Sequence, residues 1–190
     1  MSGWALSWPS GTTGGSTRWE LQIRPPLPLE FILSRVSLTR ADVQVGLFRK
    51  LLAKEDVAVL VERGILDEGE QSPDLENELV AILPPNWAAI GDPSEYPQHA
   101  APEQRLAEEK WVYLQLAWLW DHQAESSNPL DEIALLYDDF GYPTEIAHLV
   151  RWMPARPGRP VGEPALMNSW SEYLGDCGAR FGPGEQSRDG

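Results

Sequence analysis

Apolar residues recur at helical spacing along most of the chain from Phe31 onward. In the segment 40–53, Val43, Leu47 and Leu51 stand four residues apart. Residues at this spacing lie on one face of an α-helix, where they can be buried together. The pattern therefore predicts an amphipathic helix over 40–53, and comparable patterns predict further helices along the chain.

The predicted helices begin and end at residues that favour helix ends for a chemical reason. Thr39 and Asn128 carry side-chain oxygens that can accept hydrogen bonds from the first free backbone N–H groups of a helix. Proline is tolerated in the first turn and ends a helix elsewhere, and glycine accepts the left-handed conformation that often closes one. These signals predict about seven helices, over 40–53, 56–64, 73–83, 102–124, 129–140, 143–153 and 164–174.

The segment 110–123, KWVYLQLAWLWDHQ, carries three of the nine tryptophans of the chain. Its longest apolar run, 111–120, is broken by Gln115 and is too short for a membrane span, which needs ~20 apolar residues. On a helix this segment is apolar nearly all round, which is typical of a helix buried on several sides. The sharper alternative is an aromatic box for a ligand. We interpret the segment as the central helix of the core.

These patterns predict an all-α fold, with a single compact domain of about seven helices packed around the Trp-rich helix. The first 28 residues are rich in Gly, Ser, Thr and Pro and show no sustained period. They predict a flexible leader over 1–28, followed by a helical domain over 29–175. The Gly-rich segment 176–190 predicts a flexible tail.

Acidic residues outnumber basic ones, with 29 Asp and Glu against 15 Lys and Arg and a net charge of −14. The excess is concentrated in two segments. Segment 55–80 contains nine acidic residues and one basic residue, Arg63, and segment 121–139 contains six acidic residues and no Lys or Arg. Such a field repels nucleic acid and attracts a basic protein. The plainer alternative is an acidic surface that only keeps the protein soluble. The residues predicted to bind a basic partner are Glu62, Asp67, Glu68, Glu70, Asp138 and Asp139.

The compartment is suggested by the cysteine content and the N-terminus. Cys177 is the single cysteine, so no internal disulfide framework is possible. The first 18 residues lack the cationic start and unbroken apolar run of a signal peptide. Both features predict a cytoplasmic protein.

Glu145 and His148 stand at i and i+3, a spacing by which one helix can offer a carboxylate and an imidazole to a metal ion. No second pair of this kind is found in the sequence, so the ligand set is incomplete and a solvated helix surface is the plainer interpretation. We therefore predict no metal site. The alternative function is a hydrolase-like or metal-binding protein that uses Asp138, Asp139, Glu145 and His148.

Asp138 and Asp139 could also form an acid/base site with His122, oriented by Asp121. The sequence contains no GxGxxG, phosphate-loop, HExxH or GxSxG motif, and Cys177 has no histidine near it in the chain. We therefore predict no cofactor and no catalytic residue. The main hypothesis is a non-catalytic protein-interaction module with an acidic binding surface.

Four blocks of the sequence resemble an uncharacterised bacterial family, domain of unknown function 2247. They are FILSRVSLTRADVQVGL at 31–47, the segment 110–123, NPLDEIALLYDDFGYPTEIAHLVRWMP at 128–154, and SWSEYL at 169–174. The resemblance covers about 30–175 and implies a small cytoplasmic bacterial protein with no established activity or cofactor. It leaves open a translation start nearer Phe31, because the leader is longer than the family pattern. Such families often include toxin-neutralising immunity proteins, and the acidic segments would suit a basic toxin.

Overall fold

A computed structural model describes residues 25–82, 101–154, 158 and 160–183, and these residues form seven α-helices and no strand. The all-α prediction is confirmed. Most of the predicted leader, residues 1–24, lies outside the described residues. In chain order the helices are α1 (Leu29–Arg35), α2 (Arg40–Phe48), α3 (Asp56–Glu62), α4 (Ser72–Ile82), α5 (Pro102–Asp121), α6 (Pro129–Asp139) and α7 (Glu163–Phe181), with a short 3-10 helix at Ala147–Leu149 before α7.

The start of α2 has the cap that the sequence predicts. The Thr39 hydroxyl accepts a hydrogen bond from the Asp42 backbone N–H at 3.3 Å, and the Asp42 carboxylate accepts one from the Thr39 N–H at 2.6 Å. This reciprocal capping box satisfies two backbone donors that the helix itself leaves free.

The end of α2 differs from the prediction, because the helix ends at Phe48 and not at 53. Lys50 adopts a left-handed backbone conformation with φ of 59°, and the N–H groups of Leu51 and Leu52 both donate to the Gly46 carbonyl. Leu51 and Leu52 are nevertheless buried. Their apolar spacing therefore reflects burial in a tight turn. The spacing alone does not distinguish such a turn from a continued helix.

The Trp-rich helix α5 is the centre of the fold, as predicted, because it packs against α2, α6 and α7. Trp111 is 0% exposed, and its indole N–H donates to the Asp42 carbonyl at 2.8 Å. Trp118 and Trp120 are only partly buried and lie at the margin of the core. Of the three tryptophans in this helix, Trp111 is therefore the one that lies fully in the core. Among the helices of the described part of the chain, none is long and apolar enough to cross a membrane.

Two buried ion pairs join α2 and its C-terminal end to α5. The Lys110 ammonium lies 2.5 Å from the Asp42 carboxylate and also donates to the Ser37 carbonyl at 2.9 Å. The Arg49 guanidinium lies 2.6 Å from the Glu108 carboxylate, and all four charged side chains are at most 10% exposed. Buried charges are tolerated when they are paired and hydrogen-bonded in this way.

The segment predicted as a helix over 143–153 forms only the 3-10 helix Ala147–Leu149, so this prediction was wrong. Successive i to i+3 hydrogen bonds, such as Ile146 N–H to the Pro143 carbonyl at 3.2 Å, make tight turns instead. Ile146, Leu149 and Val150 are buried, and the segment packs against α6 and α7. The spacing of three between Ile146 and Leu149 fits the 3-10 geometry.

Asn128 does not cap α6 with its side chain, contrary to the prediction. Its amide donates to the Asp131 carboxylate at 2.6 Å. Pro129 still occupies the first turn of α6, so the start of the helix is where the sequence places it.

Helix α7 runs to Phe181, so the predicted end at 174 was wrong. Trp170, Cys177 and Phe181 are buried along one side of the helix. Of the predicted tail over 176–190, residues 176–181 belong to α7, and 184–190 lie outside the described residues. The glycines at 175 and 178 are helical because burial of the neighbouring apolar residues outweighs their low helix propensity.

Candidate functional site

The predicted acidic residues after α3 lie on a turn that the helix end holds in place. We call residues 62–70 the acidic turn. Gly64 has φ of 69°, and the N–H groups of Ile65 and Leu66 return to the Leu60 carbonyl at 2.9 and 3.4 Å. The buried Leu66 side chain anchors the turn to the core. The Glu70 carboxylate accepts a hydrogen bond from the Asp67 N–H at 3.0 Å, which fixes the second half of the turn.

Part of the acidic charge in this region is neutralised within the chain. Arg40 pairs with Glu70 at 2.5 Å and with Glu78 at 2.6 Å, and Lys54 pairs with Glu76 at 2.8 Å. The hydrogen bond from Arg40 is the main reason that the pKa of Glu78 lies below its ordinary value. Glu70, one of the predicted binding residues, is therefore already committed to Arg40.

Glu62, Asp67 and Glu68 are exposed, and none of them forms an ion pair with a residue of the described ranges. Arg63, which is close to them in sequence, pairs instead with Glu30 at 2.5 Å. The acidic turn thus presents to solvent three carboxylates that are not paired with a described cation.

The second predicted pair, Asp138 and Asp139, lies at the end of α6. Asp138 is exposed and accepts a hydrogen bond from the Tyr142 hydroxyl. Asp139 is half-buried, and its carbonyl accepts one from Arg49 at 3.1 Å. Helix α6 packs mainly on α5 and on the 3-10 helix, whereas α4 packs on α2. The predicted binding residues therefore form two groups carried by different elements.

A cleft of about 570 Å³ lies between α7 and the chain that precedes it. We call it the α7 cleft. Its polar lining comprises Glu145, His148, Arg151, Glu163, Ser169, Glu172, Tyr173, Asp176, Cys177 and Arg180. Its apolar lining includes Val150, Met153, Pro160, Val161, Ala165 and Leu166. One wall of the cleft is α7, including its turns past residue 174, and the opposite lining includes residues of the turns at 145–153.

Two arginines, Arg151 and Arg180, belong to the described lining of the α7 cleft, and both are held by carboxylates. Arg151 pairs with Asp131 at 3.0 Å and also with Glu163. Arg180 pairs with Glu109 at 2.8 Å. With the charge of these two arginines compensated, Glu145 and Asp176 contribute negative charge to the described lining of the cleft.

Tyr173 and Cys177 stand one turn apart on α7, in the wall of the cleft. Burial raises the pKa of both the Tyr173 phenol and the Cys177 thiol above their ordinary values. Both groups are therefore protonated near neutral pH, and the thiol is not an activated nucleophile. The sequence suggested no role for Tyr173. A sequence signal for this part of the cleft did exist. The apolar spacing of Trp170, Cys177 and Phe181 indicates that the last helix continues past residue 174.

The four residues of the alternative function do not line a single cleft. Glu145 and His148 line the α7 cleft, but Asp138 and Asp139 are not among its lining residues. Glu145 also lies outside the 3-10 helix, so the helical spacing on which the metal hypothesis rested is absent. Within the described residues, no group of three or more His, Cys, Asp or Glu side chains is placed to hold a metal ion.

His122 has partners other than the acids with which the sequence grouped it. Its ring stacks on Trp118 with centroids 3.9 Å apart, and its Nδ1 lies 2.8 Å from the Trp118 carbonyl. Asp121, which was expected to orient His122, pairs with Arg35 at 2.5 Å. These contacts fix His122 as part of an aromatic edge of the core.

The model of one protein family matches residues 29–177, and the family is described as an uncharacterised protein conserved in bacteria, DUF2247. The resemblance predicted from four sequence blocks is therefore confirmed. A search of curated proteins found no match, and neither did a search of solved structures.

Proposed function

We propose that this chain, which belongs to the DUF2247 family of bacterial proteins, is a non-catalytic protein-interaction module whose acidic turn binds a cationic segment of a partner protein. The observation that carries the proposal is the exposure of Glu62, Asp67 and Glu68 without a described cationic partner. The nearby Arg40 is already occupied by Glu70 and Glu78.

The geometry of the acidic turn suits such a role. Leu66 is buried and the backbone returns to Leu60, so the carboxylates are presented from a fixed turn. A partner then does not have to order the turn on binding, which reduces the entropic cost of association. Exposed charges at an interface mainly raise the association rate and give it a strong salt dependence.

A toxin-neutralising immunity protein is the finer version of this proposal. An immunity protein must reach its toxin quickly, and a net charge of −14 would steer a basic toxin toward this surface. The partner expected on this ground is a basic, nuclease-like protein encoded beside this chain.

The test is a comparative pull-down from lysate of the native bacterium at low salt. Three baits are used: the wild type, the turn variant Asp67→Asn with Glu68→Gln, and the control variant Glu103→Gln with Glu125→Gln. Glu103 and Glu125 are exposed and form no ion pair with a described residue, so the control loses the same charge away from the turn. Bound proteins are eluted by a salt step and identified by mass spectrometry.

The proposal predicts one basic protein that the wild type and the control retain alike and that the turn variant retains several-fold less. Screening over ~8 Å at physiological ionic strength should release that protein in the salt step. Equal loss in both variants would attribute binding to net charge alone, and recovery of no basic protein by the wild type would contradict the proposal.

A further inference from the structure

We propose that the α7 cleft is a binding site for a small organic cation, a primary amine attached to an apolar body. This site is separate from the acidic turn and goes beyond the interaction role. The proposal rests on the shape of the cleft, the occupation of its arginines and the composition of its walls.

The α7 cleft has the dimensions of a small-molecule site. Its volume of about 570 Å³ falls within the range of ~300 to 1,000 Å³ that is common for ligand pockets. Val150 is 1% exposed and Cys177 is 8% exposed, so they form its floor. Val161 is 80% exposed and forms part of its rim. The cleft is therefore a concave site with buried residues in its floor and exposed residues at its rim.

The charge of the lining selects a cation. Arg151 and Arg180, the two arginines of the described lining, are each held by carboxylates, so neither offers an uncompensated positive charge to an anion. Glu145 and Asp176 are exposed in the lining, and neither forms an ion pair with a residue in the described ranges. An ammonium group placed between these walls would meet a negative field.

The apolar part of the lining selects an organic ligand. Met153, Ala165 and Leu166 contribute hydrocarbon surface beside the carboxylates. The Tyr173 ring adds an aromatic wall, and burial keeps its phenol protonated near neutral pH. A bare metal ion gains nothing from such walls, whereas an alkyl chain gains from burial in proportion to its apolar area.

The first experiment compares three probes with the same apolar body and different charge. Hexylamine, 1-hexanol and hexanoate are titrated into the full chain near neutral pH, with binding followed by NMR chemical-shift changes. The amine is expected to shift resonances of residues lining the α7 cleft. It should bind about tenfold more tightly than the alcohol, because its charge can interact favourably with two exposed carboxylates. Hexanoate is expected to bind more weakly than the alcohol, because the field repels it.

Two variants separate the contribution of charge from that of space. Glu145→Gln with Asp176→Asn should lower the affinity for hexylamine to that for 1-hexanol and leave the alcohol unchanged. Ala165→Phe should place a ring in the cleft and weaken binding of both probes. If circular dichroism shows that Ala165→Phe is not folded, Ser169→Phe narrows the same cleft from the next turn of α7.

The results distinguish this proposal from the proposed function. The turn variant Asp67→Asn with Glu68→Gln should bind hexylamine as the wild type does. If that variant loses the amine, the probe binds the acidic turn and the cleft proposal is overturned. Unchanged amine binding in the charge variant or in the folded filling variants would overturn it too, as would no preference for the amine over the alcohol. None of these results affects the pull-down test.

Discussion

The close approach of α2 to α5 depends on a single residue, Gly46. A Cβ added at this position would lie 2.2 Å from Cζ2 and 2.8 Å from Cε2 of Trp111. Trp111 is fully buried and its indole N–H is bonded to the Asp42 carbonyl, so the ring cannot move aside freely. Gly46→Ala should therefore destabilise the fold by about 2 kcal/mol, since overpacking outweighs the gain in helix propensity. Urea denaturation of the purified variant measures this change.

Gly175→Ala in α7 is the matched control for this prediction. Within the described residues, no atom other than those of its chain neighbours and the backbone of α7 lies within 4 Å of the Cβ that the substitution adds. The control should stabilise the protein by up to ~1 kcal/mol, because alanine loses less backbone entropy in a helix. If Gly46→Ala were as stable as this control, the packing of Trp111 against α2 would be wrong.

The sequence was most informative about residues whose partners are close in the chain. Thr39 and Asp42 are three residues apart, and their capping box follows from that spacing alone. Asp42 has a second role that the sequence did not reveal, because its ion partner Lys110 lies 68 residues away. The cap could be predicted from local chemistry, whereas the buried ion pair depends on how α2 and α5 pack.

The helices themselves were predicted where a local signal agreed with burial. α5 carries apolar residues on most of its circumference and could be placed at the centre from the sequence. The length of α7 was underestimated because Gly175 and Gly178 are local helix breakers. A Cβ at Gly178 would lie 3.4 Å from the Tyr113 hydroxyl, so a small residue suits the contact between α7 and α5. Tertiary packing decided the length of this helix, and no local pattern contains that information.

Phe181 provides a test of the last turns of α7. It is buried against Tyr113, with ring centroids 6.1 Å apart, and the Lys110 ammonium lies 5.9 Å from its ring. Phe181→Ala should therefore cost about 3 kcal/mol, as for other buried aromatic residues. Chemical denaturation monitored by circular dichroism gives the value.

Ser171→Ala serves as the control for Phe181→Ala, because Ser171 is exposed on the same helix. We expect this change to alter the free energy of unfolding by less than ~0.5 kcal/mol. If Phe181→Ala were equally neutral, the chain after 174 would behave as the flexible tail that the sequence predicted, and the α7 cleft would lose its far wall.

At the scale of the whole molecule, the two candidate sites differ in how far they could be predicted from the sequence. The excess of acids after residue 55 could be read directly, and it leads to the acidic turn. The sequence does not show which of those acids are unpaired, because Arg40 pairs with Glu70 and Glu78, which lie 30 and 38 residues away in the chain. The α7 cleft was also missed, since one wall includes the turns at 145–153, which were predicted as a helix, and the other continues along α7 past residue 174, where the helix was predicted to end.

The assembly of three helices depends on Arg49, which follows α2. Its guanidinium pairs with Glu108 of α5, donates to the Asp139 carbonyl at the end of α6, and lies 4.8 Å from the Phe140 ring. Burial raises the pKa of Glu108 above its ordinary value, and Arg49 opposes that rise. The charged form of Glu108 is therefore tolerated in the fold because Arg49 accompanies it.

Arg49→Met should destabilise the protein more at pH 7 than at pH 5. A carboxyl group with a raised pKa binds its proton more tightly in the folded state, so its contribution to stability is greatest below ~4.3 and is lost as the pH rises through the folded-state pKa. Without Arg49 the pKa of Glu108 rises further, which makes the loss larger and extends it to higher pH. We expect about 3 kcal/mol of destabilisation at pH 7, measured by urea denaturation at both pH values. Arg49→Lys keeps the positive charge and should show a smaller loss with little dependence on pH. A loss for Arg49→Met that is equal at pH 5 and pH 7 would mean that packing against Phe140, and not the ion pair, holds the three helices together.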